Sequence, residues 1–268
     1  MPQKQTAKPP AKFRDAVPVM LVLCAFALTT LAALPRWGEC GDRAIIMATE
    51  EWPPFRMNDP NSPSGFRGID IDIAERLSDA IGIPIVVQRH PWARALALMR
   101  TGGADMITGV ARTQEREAFM HYVPISYYAV HPVFYARKER GDAIQTYADL
   151  VDGPSVGYSL HSAYFEPFNS DDRIKKVGLS TEPQLLHALA LGRIDVIIGT
   201  DPNISFDIAR LGYRDALEPT RYQPPKKTEL FIALSRKSPA MAHAKKIEQA
   251  LKRLLANATI EAIFGNYR

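Results

Sequence analysis

The sequence is poor in the groups that most catalytic, redox and metal chemistry requires. Cysteine occurs only twice in 268 residues. Cys24 lies inside an apolar leader, and Cys40 stands alone in the chain that follows it, so no internal disulfide is expected. Lipid attachment wants small residues just before the cysteine. Cys24 follows Leu-Val-Leu and Cys40 follows Trp-Gly-Glu, so neither fits. The six histidines (His90, His121, His131, His161, His187 and His243) are scattered, with no H-E-x-x-H and no Cys/His ligand spacing. No metal site is expected. Ser159 lacks the G-x-S-x-G elbow, and there is no glycine-rich phosphate loop. These absences argue against an enzyme, name no catalytic residue and imply no cofactor. No low-complexity tract is present either, and the apolar (46%) and charged (23%) fractions are those of an ordinary globular protein.

The net charge of +4 is mostly local. Lys4, Lys8, Lys12 and Arg14, set against Asp15, give residues 1–33 a net +3 and leave about +1 for the rest. The basic balance is therefore no sign of a nucleic-acid partner. Those charges precede the apolar run AVPVMLVLCAFALTTLAAL, residues 16–34, which together read as a secretory signal. Small residues at Thr30 and Ala32, or at Ala33, offer a cleavage site. The alternative is an uncleaved inner-membrane anchor, since about 19 apolar residues just span a bilayer. Export is expected in either case.

Beyond the leader, periodicity alternates between strand and helix. RAIIMATE (43–50) reads as a strand running into the proline-rich turn EWPPF, and GIDIDIAERLSDAIG reads as a helix with Asp70 as its N-cap and Gly82 as its stop. IPIVVQRH is a second strand, WARALALMRTGG a second helix, and ADMITGV a third strand. This order argues for a parallel sheet with right-handed crossovers. HPVFYARK (131–138) leads away from this first unit, LVDGPSVGYS opens a second, and TELFIALSRKSP returns to the first. The last helix, AMAHAKKIEQALKRLLAN, has Ala244, Ile247, Leu251, Leu254 and Leu255 on one face. A weak repeat, RALALMRTGGADMITG (94–109) against QLLHALALGRIDVIIG (184–199), suggests two similar lobes. Two crossings between lobes make a hinge over a cleft.

The candidate binding groups sit at element ends. Trp52 follows the first strand and Trp92 opens the second helix, positions from which aromatic rings can wall a small-molecule cleft or pack in a core. Thr113 can cap a helix QEREAFMHY, which puts Arg116 in its first turn near Gly109 at a strand end. A guanidinium there can grip a carboxylate bidentately. Arg112 and Arg116 are not separated by spacing alone, and either can instead form a surface pair.

In order and spacing, WPPF, GIDIDIAERL, W-x-R-A-L followed by GGAD, G-x-x-R-T-x-E-R, the Tyr-Tyr near 127, GRIDVIIGTDPN and the ending IFGNYR resemble the periplasmic solute-binding proteins of family 3. These are the amino-acid receptors of bacterial ABC importers. The resemblance implies an α/β, two-lobe periplasmic-binding-protein fold of type II, with two crossing hinge strands and a ligand cleft between the lobes. It implies a leader or anchor at 1–34, first-lobe segments 43–135 and 227–268, and a second lobe at 136–226. By matching position, Arg116 would bind the ligand's carboxylate, beside Gly109 and Ala111. Ala111 replaces the usual Thr or Ser, so a hydroxyl is lost. Trp52 and Trp92 would be aromatic walls, and Gly157, Tyr158 and Ser159 the second-lobe contacts. The acid that relatives use for an amino group falls at Thr200, with Asp201 one residue on. Glu50 or Glu51 could also serve a cation.

The expected protein is thus a periplasmic monomer that captures a small carboxylate-bearing solute, an amino acid or related organic acid, for ABC membrane subunits. The alternatives are a sensor or adaptor module of the same fold, or a dehydratase of prephenate-like acids using Glu51 or Asp201.

Overall fold

The structure, a computed structural model, describes residues 43–267. The leader and both cysteines lie outside the described residues, and among those described no helix is long and apolar enough to cross a membrane.

Strand β1 (Ile45–Thr49), β4 (Ile85–Arg89) and β5 (Met106–Ala111) are parallel neighbours, joined by helix α1 (Ile69–Ile81) and helix α2 (Trp92–Thr101). The short strands β2 (Met57–Asn58) and β3 (Phe66–Arg67) form a separate hairpin before α1. Helix α3 (Gln114–Glu117) and strand β6 (Met120–Tyr122) follow β5. The second unit repeats the plan. Strand β8 (Val156–Ser159) pairs in parallel with β9 (Lys176–Leu179) and β10 (Val196–Asp201), with α4 (Glu182–Ala190) before β10 and α5 (Asn203–Arg210) after it. The paired units α2–β5 and α4–β10 are the two segments whose sequences repeat.

Two long strands join the halves. Strand β7 (Tyr128–Arg137) pairs with β12 (Thr228–Ser235) through Tyr128–Val130 and with β10 from His131 to Ala136. Strand β12 lies antiparallel to β5, β6 and β7. The main path is β4-β1-β5-β12-β7-β10-β8-β9, with β6 added to β12 and β11 (Leu217–Pro219) added to β7. Helices α6 (Ala244–Ala256) and α7 (Thr259–Gly265) close the chain against the first half.

Parallel strands are covered on both faces, and the period of two shows it. Ile45, Met106, Leu230, Ile232 and Leu234 face a core shared with α1, α6 and α7. Ala48, Ile107, Val110, Phe231 and Ala233 face the opposite core with Trp92, Ala95 and Met99 of α2. In the second half, Val133, Tyr135 and Ile197 meet α4 and α5, while Phe134, Val196 and Ile198 meet Tyr164, Phe165 and Phe168.

Two local expectations are corrected. Asp70 is not the N-cap of α1; that position is Gly68. A Cβ on Gly68 would stand 2.4 Å from the Phe55 carbonyl oxygen, so the proline-rich turn packs onto bare backbone there. The turn's carbonyls cap the helix instead, with Asp70 N–H donating to Phe55 O at 2.9 Å. The helix after Thr113 is also shorter than expected. It makes one turn, capped by the Thr113 hydroxyl accepting from Arg116 N–H at 3.3 Å. Met120 and Tyr122 then bury themselves by adding a strand to β12, which removes more apolar surface than a continued surface helix would.

Candidate functional site

The C-terminal ends of β1 and β5, the start of α2 and the turn after β8 converge where the halves meet. A cavity of about 60 Å³ lies there, lined by Glu50, Trp52, Arg56, Trp92, Gly109, Ala111 and Arg116 from one side and by Ser162, Ala163, Tyr164, Glu182 and Thr200 from the other. Strand ends at a topological crossing are the usual ligand site of an open α/β sheet.

Arg116 is 5% exposed. Its Nη1 donates to Ala111 O at 2.8 Å and its Nη2 to His161 O at 2.7 Å, using two of five N–H donors. Its guanidinium lies 5.6 Å from the Trp92 ring centroid. Burial lowers its pKa, and among the described residues no carboxylate comes within ion-pair distance of it. Arg112 is different: it is exposed and salt-bridged to Glu117.

The two tryptophans both line the cavity. Trp92 is also part of the core, and its Nε1–H donates to His161 O at 3.1 Å. The His161 carbonyl thus takes a bond from each of two first-half side chains, and His161 itself sits at φ 63°. Trp52 stacks on Phe55 with centroids 4.5 Å apart.

Behind Trp52 lies a buried polar network. Arg56, 2% exposed, is 5.0 Å from the Trp52 ring, donates from Nε to Glu50 O at 3.1 Å and forms an ion pair with Asp70. Asp70, fully buried, also accepts from Thr108 Oγ1 at 2.9 Å and Tyr127 OH at 2.6 Å. Gly109 fits over this network at φ +64°; a Cβ there would lie 2.7 Å from Arg56 Nη1. Nothing in an isolated arginine and aspartate fourteen positions apart in the sequence marks Arg56 and Asp70 as partners.

The remaining predicted residues divide. Gly109, Ala111 and Thr200 line the cavity, Ala111 with its carbonyl holding both Arg116 and the Tyr122 hydroxyl at 3.0 Å. Ser159 and Glu51 line a second, wider cavity of about 840 Å³ on the outer side, rimmed by Arg89, His90, Arg210 and Leu211. Glu51 is engaged there with Arg89 at 3.3 Å and Arg210 at 3.8 Å. Tyr158 and Asp201 line neither cavity. Asp201 instead accepts from Ser205 N–H at 3.2 Å and from the Ser205 hydroxyl. Tyr158 faces the Phe134–Phe168 core, and Gly157 is walled by Leu185, Ile194 and Ile197, so both serve packing. The second half approaches the cavity through the predicted Thr200, through Glu182 and through residues 162–164, a few positions beyond the predicted Tyr158 and Ser159.

Glu50 accepts from Trp92 N–H at 2.9 Å, and burial pushes its pKa up to about 7 against the pull of Arg56 and that N–H. Glu182, at the first position of α4, has its pKa raised well above the carboxylate range by burial, with Asp207, Glu50 and Asp201 adding to the effect.

The halves also bond directly. Asn203 Nδ2 donates to Pro53 O at 2.7 Å, and the Thr228 hydroxyl donates to Tyr164 O.

Two halves bridged by β7, which pairs with β12 of the first half and β10 of the second, with a lined cleft between them, constitute a two-lobe periplasmic-binding-protein fold of type II. Residues 45–268 match the family of bacterial extracellular solute-binding proteins, family 3, and the chain belongs to it. Solved structures agree on the fold. A substrate-binding protein of an amino acid ABC transporter, AbpA from Streptococcus pneumoniae bound to L-arginine, is 17% identical with a TM-score of 0.71, covering 84% of this chain and 94% of that one. A histidine kinase sensor domain with similarity to periplasmic binding proteins is 16% identical with a TM-score of 0.74, covering 85% and 96%. The GluR0 ligand-binding core from Nostoc punctiforme in complex with L-glutamate is 20% identical with a TM-score of 0.69, covering 83% and 98%. No curated protein sequence matches the chain.

Proposed function

We propose that this chain is an exported solute-binding protein that captures a small carboxylate-bearing solute, an amino acid being the first candidate, and presents it to the membrane subunits of an ABC-type importer. The observation that carries the reading is Arg116. A buried guanidinium held by two carbonyls beside the Trp92 ring, with no carboxylate within ion-pair distance among the described residues, lacks the anion that would balance it, and a solute carboxylate supplies one. We assign segments 43–135 and 227–268 to one lobe and 136–226 to the other; β7 changes partner already at Val130–His131, so its residues 131–135 pair with the second half ahead of the first of these boundaries. The solute would lie between Trp52 and Trp92, with Gly109 and Ala111 beside its carboxylate and Thr200 opposite. Relatives of the same fold include proteins solved with L-arginine and with L-glutamate, which supports an amino-acid ligand. The protein acts as a monomer in the periplasm, released from its leader or tethered by it.

A ligand that binds only the folded state raises its stability by about 2.7 kcal/mol at 100 times its Kd. In a chain of this size that is a rise in Tm of roughly 5–10 °C. A panel of L-amino acids should produce such a shift in the wild type, and Arg116→Ala should lose it. A variant that responds like the wild type would overturn the carboxylate assignment.

The likeness to a histidine kinase sensor domain supports a second reading, in which closure signals to a separate partner. Recovery of the native protein with membranes, together with ligand-dependent capture of a kinase rather than importer subunits, would favour it. The dehydratase alternative gains no support from the geometry, because Glu51 and Asp201 are engaged with Arg89, Arg210 and Ser205.

A further inference from the structure

We infer that the turn from Ser159 to Tyr164 is a built-in latch: it holds the two lobes shut on its own, with the His161 carbonyl occupying the Arg116 donor that a solute's anion needs. The inference rests on the reading of Arg116 as the carboxylate site and adds how access to that site is controlled.

The latch is made by backbone. His161 O accepts from Arg116 Nη2 at 2.7 Å and from Trp92 Nε1 at 3.1 Å, so one second-lobe oxygen ties down two first-lobe side chains. Nη2 matters most. A guanidinium grips a carboxylate in two parallel bonds along either of two edges, Nη1 with Nη2 or Nε with Nη2. Both edges include Nη2, and Nη1 is already held by Ala111 O at 2.8 Å. The His161 carbonyl therefore stands on one of the edges along which a solute carboxylate would arrive.

The turn is shaped to present that oxygen. Ser162 N–H donates back to Ser159 O at 3.1 Å, which closes a four-residue turn around Leu160 and His161. Leu160 N–H donates to Leu179 O at 2.9 Å and fastens the turn to β9. Ser159 N–H donates to Tyr164 OH at 3.0 Å, and Tyr164 O accepts from the Thr228 hydroxyl of β12. His161 sits at φ 63°, a left-handed conformation that costs a residue with a side chain free energy. Its imidazole is exposed, so burial of the ring does not offset that cost; the two bonds to its carbonyl do.

Space supplies the second argument. The inner cavity of about 60 Å³ is far below the roughly 300 Å³ at which small-molecule pockets begin. Wider cavities of about 460 Å³ and 840 Å³ lie outside it. Ser162 lines all three, and Ala163 lines the inner one and the 460 Å³ one. The turn is the partition between these spaces, and withdrawing it joins them beside Arg116.

A latch of this kind acts with the opposite sign to an ordinary lobe contact. The bond from Asn203 Nδ2 to Pro53 O spans the lobes without using a donor of Arg116, so it counts toward every closed state alike. The His161 bond counts only toward the closed state that excludes the solute. Weakening it enlarges the binding-competent fraction, and apparent affinity rises with that fraction.

The test is small-angle scattering and stopped-flow binding on the exported chain, freed of solute by exhaustive dialysis, with L-arginine and L-glutamate as probes. Without a probe, the wild type should scatter as a closed clamshell with the radius of gyration of this structure. His161→Val, whose β-branched side chain disfavours a positive φ, should lower the closed-to-open ratio about 5- to 30-fold. Trp92→Phe removes the indole N–H, keeps an aromatic ring and should lower the ratio about 2- to 10-fold. His161→Gly, which adopts the left-handed backbone freely, should stay closed. Any probe that binds should bind His161→Val more tightly by up to the same factor as its shift in scattering, and its association rate should no longer level off at high concentration. Thermal unfolding of each variant shows that it folds. If the probe-free wild type scatters as an open clamshell, if neither His161→Val nor Trp92→Phe opens it, or if His161→Val weakens binding, the latch is overturned. If neither probe binds, the scattering alone decides the latch. If Arg116→Ala binds a probe like the wild type while His161→Val still opens the probe-free chain, the carboxylate reading fails and the self-closing turn stands without it.

Discussion

Replacing Asp70 by asparagine tests whether the site rests on a buried ion pair. Asp70 is fully buried, and its carboxylate holds Arg56, Thr108 and Tyr127 together beneath Trp52 and Gly109. Asparagine keeps an acceptor for one hydroxyl but leaves the Arg56 guanidinium, itself 2% exposed, without a counter-charge. Breaking one partner of a buried pair costs about 3–5 kcal/mol. For a domain of this size each kcal/mol lowers Tm by roughly 2–4 °C, so the variant should melt roughly 6–20 °C below the wild type. Urea denaturation supplies the free energy directly. The decisive comparison is the double variant Asp70→Asn/Arg56→Met. With the stranded charge removed, it should be more stable than the sum of the single effects by at least about 1 kcal/mol. If Asp70→Asn costs less than about 1 kcal/mol, or if the two changes simply add, the pair does not support the site as argued.

Three further outcomes are expected. Gly109→Ala must adopt φ +64° and place a Cβ 2.7 Å from Arg56 Nη1 and 3.3 Å from the Trp52 ring, so it should lose at least about 2 kcal/mol of stability and most ligand affinity, read by denaturation and thermal shift. Glu50 rises from 4.5 to about 7 on folding, so between those values the folded state binds more protons than the unfolded one and stability falls as pH rises. The loss is at most about 3 kcal/mol, Glu182 acts in the same direction, and Glu50→Gln should flatten the curve measured by denaturation between about pH 5 and 8. Asn203→Ala removes the hydrogen bond that the Asn203 side-chain amide donates to Pro53 O, and small-angle scattering should show a larger radius of gyration with a several-fold lower ligand affinity if that bond favours closure.

Much of the fold follows from local pattern. Ile45 and Met47 alternate with Ile46 and Ala48, and α1 presents Ile73, Leu77 and Ile81 on one face, because strand and helix periods are written in consecutive residues. The placement of Arg116 in the first turn after Thr113 was legible for the same reason. Helix length after Thr113 was not, since burial of Met120 and Tyr122 against β12 depends on a strand more than a hundred residues away.

The sequence by itself determined the order of strands and helices and narrowed the cleft arginine to Arg112 or Arg116, since these depend on short-range patterns and their order; burial separates the two, Arg116 lying inside and Arg112 on the surface. Tertiary structure alone decided how each acid is engaged. Glu51, Asp201 and Glu182 are equivalent as letters in a chain. Folding pairs Glu51 with Arg89 and Arg210, spends Asp201 on Ser205, and leaves Glu182 buried without a partner. The physical reason is that a carboxylate's chemistry is set by its solvation and its neighbours, and both come from parts of the chain that only the fold brings together.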